Sequence, residues 1–143
     1  MDQSETIERI LGYARRIAVV GLSPDPNRPS NGVAAELQRR GYEIVPVNPN
    51  ADMVLGQRSY RSLADVPGEI DLVDVFRRAE HLPGVAREAV GVGARGLWFQ
   101  LGLVSEEGRA IAEEAGLDVV EDRCLMVEVS RLAGLQRLPP PAA

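Results

Sequence analysis

Five short apolar runs, each separated from the next by a turn and a helical pattern, constrain the fold of this chain more than any other feature. They fall at residues 17–21, 42–47, 70–76, 96–101 and 117–121. The first, Ile17-Ala-Val-Val-Gly21, is apolar at successive positions. Both of its faces are therefore expected to be buried, as in a central strand of a parallel sheet. Before it, Ile7, Ile10, Leu11, Ala14 and Ile17 form one helical stripe, which predicts a helix over residues 3–15. Ser30 or Asn31 caps a second helix that reaches Arg40, with Gly41 as its stop. Pro83 suits the first turn of a helix continuing to Val92. Ser105, followed by Glu106 and Glu107, opens another that Gly116 ends. Leu125, Val129 and Leu132 mark the last helix. Residues 48–56 read as a turn-rich connector, and residues 62–66 as a short helical piece.

Strands that alternate with helices predict an α/β, Rossmann-like, doubly wound parallel sheet of about five strands, covered on both faces. A chain of 143 residues fits one such domain, read as residues 1–138, with residues 139–143 as a disordered C-terminal tail. The single cysteine, Cys124, excludes an internal disulfide. No apolar run approaches the roughly 20 residues that span a bilayer, and the polar start lacks the plan of a signal peptide. A cytoplasmic location without membrane association is the expectation. A net charge of −5 argues against broad nucleic-acid binding, although local donors can still hold an anionic ligand. With one histidine and one cysteine, no metal site is expected.

In doubly wound sheets, ligands sit beyond the carboxyl ends of the strands, where the strand order reverses. The segments to follow are residues 22–32, 48–53, 77–82, 100–105 and 122–124. The first carries Gly21-Leu-Ser-Pro-Asp-Pro-Asn-Arg-Pro-Ser-Asn-Gly32. A glycine at the strand end allows a sharp turn, and the following helix start offers free N–H groups to a phosphate. Ser23 and Ser30 add hydroxyls, and Arg28 adds a forked, permanent charge. The competing reading is a long loop and nothing more. No G-x-G-x-x-G is present, and strand two ends in Pro46-Val-Asn-Pro49 where a nicotinamide enzyme places an acidic residue. A nicotinamide cofactor is disfavoured on both grounds. The pattern of P-loop nucleoside triphosphatases is also missing.

Ile17-Ala-Val-Val-Gly-Leu-Ser23, Arg28-Pro-Ser30, Gly41-Tyr42 and Pro46-Val-Asn-Pro49 together resemble the small bacterial and archaeal coenzyme A-binding proteins of the YccU-like family. Asp74-Val-Phe-Arg77, Trp98-Phe-Gln-Leu-Gly102 and Asp122-Arg-Cys-Leu-Met126 extend the likeness over about residues 5–135. That family is similar in fold to the coenzyme A-binding domain of the succinyl-CoA synthetase α subunit. The resemblance implies that Gly21, Leu22, Ser23, Arg28 and Ser30 face the phosphates of coenzyme A. It sets Val47, Asn48 and Pro49 beside the adenine and ribose, and Phe76 and Arg77 along the next loop. It sets Gln100, Gly102 and Cys124 toward the pantetheine arm. Asn48 can bond a ribose or base edge, while the bland reading of Asn-Pro is a strand-ending turn.

The remaining candidates are weaker. His81 reads as a solvated loop histidine. Trp98, Phe99 and Leu101 read as core or subunit contacts. Gln100 is polar in an apolar strand, either for a ligand or interface or for a buried hydrogen bond. Asp71 and Asp74 are expected to cap loops or to pair with Arg77 or Arg78. Cys124 lies between Arg123 and a helix start, where charge and dipole favour a thiolate. Its plainer reading is a small half-buried apolar residue. The chain is thus expected to bind coenzyme A or a short acyl-CoA as a stand-alone domain, with no reaction legible and with homo-oligomerisation left open. The alternatives are an NAD(P)-binding redox or sensor protein and a subunit of an acyl-CoA ligase.

Overall fold

The computed structural model describes residues 2–138. The proposed tail, residues 139–143, lies outside the described residues. Helix α1 (Ser4–Tyr13) leads into strand β1 (Arg16–Val20). Helix α2 (Pro29–Arg39) and strand β2 (Glu43–Val47) follow. A small hairpin of β3 (Met53–Val54) and β4 (Gln57–Arg58) comes next, then a 3-10 turn at Leu63–Asp65 and strand β5 (Leu72–Val75). Helix α3 (Leu82–Gly91), β6 (Gly96–Phe99), α4 (Glu106–Glu114), β7 (Asp118–Val120) and α5 (Leu125–Gly134) complete the order.

Five parallel strands form one sheet in the order β2-β1-β5-β6-β7. Alternate residues of each strand point to opposite faces. Ile17, Val19, Leu72, Trp98 and Val120 meet the buried residues of α1, α2 and α5 on one side. Ala18, Val20, Val73, Val75, Leu97 and Phe99 meet α3 and α4 on the other. This explains why the first run is apolar at successive positions: β1 is buried on both faces.

The chain moves outward from β1 to β2, then crosses back to β5 and continues the other way. The reversal falls between β1 and β5. In register, Val20 lies opposite both Val47 and Val75, and Val75 lies opposite Phe99. The strand ends are therefore flush. Gly21, Asn48, Phe76 and Gln100, one residue further on, line up along the carboxyl edge.

Three local expectations change. Strand β6 stops at Phe99, not Leu101, because the chain turns at Leu101-Gly102, with Gly102 in the left-handed region. The connector at 48–56 runs into the β3–β4 hairpin, which spans residues 53–58. Its two central residues, Leu55 and Gly56, both have positive φ, 52° and 75°, as a tight hairpin turn demands. Leucine is a poor signal for that conformation, so the hairpin was hidden. Helix α2 begins earlier than expected, with Arg28 at its N-cap and Pro29 in its first turn, and no side chain caps it. Ser30 and Asn31 turn back to the loop. The Ser30 hydroxyl accepts the Ser23 N–H at 3.0 Å, and the Asn31 amide donates to the Ser23 carbonyl at 2.9 Å. Ser105 does cap α4, accepting the Gly108 N–H at 2.9 Å.

Candidate functional site

Two adjoining cavities open along the flush strand ends. The larger, of about 600 Å³, is bordered by the β1–α2 loop, the end of β5 and the segment after β6. Val33, Phe76, Leu101 and Leu103 make much of its wall apolar. The smaller, of about 280 Å³, lies over the tip of β2, among Val47, Asn48, Pro49, Arg61 and Ser62. Gly21 and Arg77 border both and form the divide between them.

Gly21 stands there for a steric reason. Its φ is +86°, and a Cβ at this position would collide with the Phe76 backbone carbonyl. Its N–H donates to the Val47 carbonyl at 2.9 Å, and the Phe76 N–H donates to the Val20 carbonyl at 2.8 Å. The three strand tips are thus held edge to edge, and only glycine fits at the centre.

The sequence candidates distribute unevenly. Gly21, Ser23, Arg28, Ser30, Phe76, Arg77, Gln100 and Cys124 border the larger cavity, and Val47, Asn48 and Pro49 the smaller. Leu22 and Gly102 border neither. The Leu22 side chain is fully buried in the core. The Gly102 N–H is given to the Asp122 carboxylate at 2.7 Å, which braces the loop after β6 against the loop after β7. Asn48 serves the turn first. Its amide donates to the Leu22 carbonyl at 2.9 Å and its side-chain oxygen accepts the Asn50 N–H at 2.8 Å, leaving limited capacity for a ribose.

Charge is the feature that composition concealed. Arg28, Arg61 and Arg77 border the cavities, and Arg28 and Arg61 are exposed. Among the described residues, no ion pair, side-chain hydrogen bond or ring contact engages any of the three guanidiniums. Elsewhere arginines are employed: Arg16 with Glu43, Arg109 with Glu113 and Glu121, Arg95 over the Tyr13 ring. The arginines left unpaired among the described residues thus gather where the strands end, on a chain of net charge −5. Arg61 had no local signal in the sequence, because it reaches the site only through the isolated pairing of Tyr60 with Val47.

Asp71 caps a loop, accepting the Arg15 and Arg16 N–H groups at 3.0 and 2.9 Å. Asp74 does not pair with Arg77 or Arg78. It is fully buried in β5, and its Oδ1 accepts the Gln100 side-chain amide at 2.6 Å. Burial pushes its carboxyl up to about 7, against the hydrogen bond from Gln100. Gln100, 4% exposed, makes the buried hydrogen bond that was one of its two expected roles, and it also borders the larger cavity.

Trp98 and Phe99 are fully buried, and the Trp98 indole donates to the Arg123 carbonyl at 2.8 Å. Leu101 is 70% exposed and forms part of the cavity rim, not of the core. Cys124 is half-buried at the N-cap of α5 and faces the larger cavity. The Arg123 guanidinium that was expected to act on it donates instead to the Asp122 carbonyl at 2.8 Å. His81 stands beside Glu80, at 3.8 Å, and borders neither main cavity. No group of three or more metal-ligating side chains occurs among the described residues. No described helix is long and apolar enough to cross a membrane.

A doubly wound sheet with a divided, arginine-bordered cleft at its switch point defines a Rossmann-like ligand-binding domain. Residues 15–130 match the family described as CoA binding domain, and the chain belongs to that family. It is 48% identical over 121 residues to the uncharacterized protein YneT of Bacillus subtilis, covering 85% of this chain and 90% of that one. It is 35% identical over 107 residues to the ADP-forming acetate–CoA ligase II of Archaeoglobus fulgidus, covering 73% of this chain but 16% of the ligase. A hypothetical protein from Pyrococcus horikoshii superimposes with a TM-score of 0.88 at 38% identity, covering 94% of both chains.

Proposed function

We propose that this protein binds coenzyme A, or a short acyl-CoA, as a stand-alone domain. The observation that carries the reading is the convergence of three arginines, Arg28, Arg61 and Arg77, that have no side-chain partner among the described residues, on a cleft at the switch point. Coenzyme A is a polyanion at one end and a flexible, largely apolar arm with a terminal thiol or thioester at the other. The divided site suits both ends. Arg28, Arg77 and the start of α2 would hold phosphates, with Ser23 and Ser30 supplying hydroxyls. The polar hollow at Val47, Asn48 and Pro49 would take the adenosine end. The apolar wall of Val33, Phe76, Leu101 and Leu103 would take the arm, leading toward Gln100 and Cys124.

The likeness to an Archaeoglobus ligase supports a second reading, in which the domain serves as one component of an acyl-CoA ligase. That role requires a separate nucleotide-binding partner, and co-purification would reveal one. Thermal denaturation with coenzyme A, NAD and ATP in parallel tests the main reading. A ligand at one hundred times its dissociation constant adds roughly 2.7 kcal/mol to apparent stability. Coenzyme A should raise the melting temperature, and NAD should not. A shift with NAD alone would overturn the assignment.

A further inference from the structure

The buried Asp74–Gln100 pair offers more than support for the fold. A carboxylate can only accept hydrogen bonds, whereas a carboxylic acid can also donate one. The Gln100 amide has two dissimilar ends, and rotation about its last torsion exchanges them at little intrinsic cost. With Nε2 committed to Asp74 at 2.6 Å, the carbonyl Oε1 is the end left for the cavity that Gln100 borders. The second Asp74 oxygen, Oδ2, has no hydrogen-bond partner among the described residues.

We infer that Asp74 is a positioning residue that sets which end of the Gln100 amide faces the ligand, so that the ionised carboxylate makes this part of the cavity a hydrogen-bond acceptor for an amide N–H of the ligand. The inference rests on the coenzyme A reading, because the pantetheine arm carries two secondary amides. When Asp74 is protonated, its O–H donates to Oε1, the amide turns over, and the cavity meets an NH₂ group instead. The carboxyl titrates near 7, so both states are reached under ordinary conditions.

Among the described residues, Gln100 is the side chain that bonds to the Asp74 carboxyl. Its register neighbours, Val19 on β1 and Trp98 on β6, are uncharged. On its face of the sheet α1, α2 and α5 present Ile10, Leu11, Leu37, Leu125 and Val129. The charged and titratable groups bordering the cavity are Arg28, Arg77, Arg78 and Cys124. None of them is among the influences on the Asp74 carboxyl, which are burial, the Gln100 amide and the Val75 N–H.

The test has two arms. In the first, coenzyme A affinity is measured by calorimetry between about pH 5.5 and 8.5 for the parent protein, Asp74→Asn and Gln100→Met. A phosphate monoester also titrates near pH 6, but it does so equally in all three, so the ratio to the variants isolates Asp74. The parent protein should gain roughly three- to ten-fold in affinity relative to either variant as pH rises through 7, the effect of one hydrogen bond. Matching pH profiles in the parent and both variants would overturn the inference while leaving coenzyme A binding intact. In the second arm, the Gln100 side-chain NH₂ and the Asp74 carboxyl are followed by NMR in the free parent protein. The two should titrate together. A carboxyl that titrates while the NH₂ resonances stay fixed would overturn the inference without recourse to any variant. Absence of coenzyme A binding at every pH would overturn the function reading and the ligand half of this one, and the second arm would still judge the amide reversal.

Discussion

Replacing Asp74 by asparagine should change how stability depends on pH, in a direction set by burial. The Asp74 carboxyl is fully buried, and desolvation raises it from 3.8 to about 7. Between those values the folded protein holds a proton that the unfolded chain has released. Stability therefore falls as pH rises through this window. Asp74 stabilises least above pH 7 and most below the unfolded value near 4, where both states are protonated. A gap of about three pH units at 1.36 kcal/mol each corresponds to about 4 kcal/mol. That is a large share of the 5–15 kcal/mol typical of a small domain. Asparagine keeps an acceptor for Gln100 and cannot titrate. Urea unfolding of both proteins at several values between about pH 4 and 8 reads the difference, provided the slope m is unchanged. The parent protein should lose about 4 kcal/mol relative to Asp74→Asn over that range, nearly all of it below pH 7. A difference that stays level across the range would show that the carboxyl is not raised, and the argument from burial would fail with it.

Arg28→Ala should weaken coenzyme A by about ten-fold or more, the loss of one charge-assisted contact, as judged by calorimetry. The unliganded melting temperature should barely move, because the exposed Arg28 side chain engages no other group among the described residues. Cys124, facing the same cavity, should attack coenzyme A disulfide through its thiolate, forming a mixed disulfide and releasing one coenzyme A thiol. Intact mass should then show a single adduct that reductant reverses and that Cys124→Ser lacks. An adduct formed only after denaturation would assign Cys124 to packing.

Much of the architecture was legible because it is written in local periodicity. Runs such as Ile17-Ala-Val-Val, short, rich in β-branched residues and ended by glycine, read as strands buried on both faces, and the i, i+3, i+4 spacing of α1 needs no partner to be recognised. Motif order also pointed to the strand-end loops, since a parallel sheet leaves its ligand nowhere else to sit. What the sequence could not show is which side chains meet. Leu22 looked like part of a phosphate loop, yet the turn at Gly21, with φ +86°, sends it into the core beside Ile17 and Val19. Ser30 and Asn31 looked like caps, yet they fasten the loop of Ser23. Arg61 enters the site because Tyr60 pairs with Val47, and nothing near it in the chain foretells that. Asp74 and Gln100 are 26 residues apart, one on β5 and the other just past the end of β6, and become partners only when β5 and β6 align. Periodicity is a property of neighbours along the chain, so sequence alone determined the long helices, the five sheet strands and the strand edge along which the cavities open. Charge pairing, burial of a single carboxyl and the reach of an arginine depend on register between distant strands, and those the tertiary structure decided.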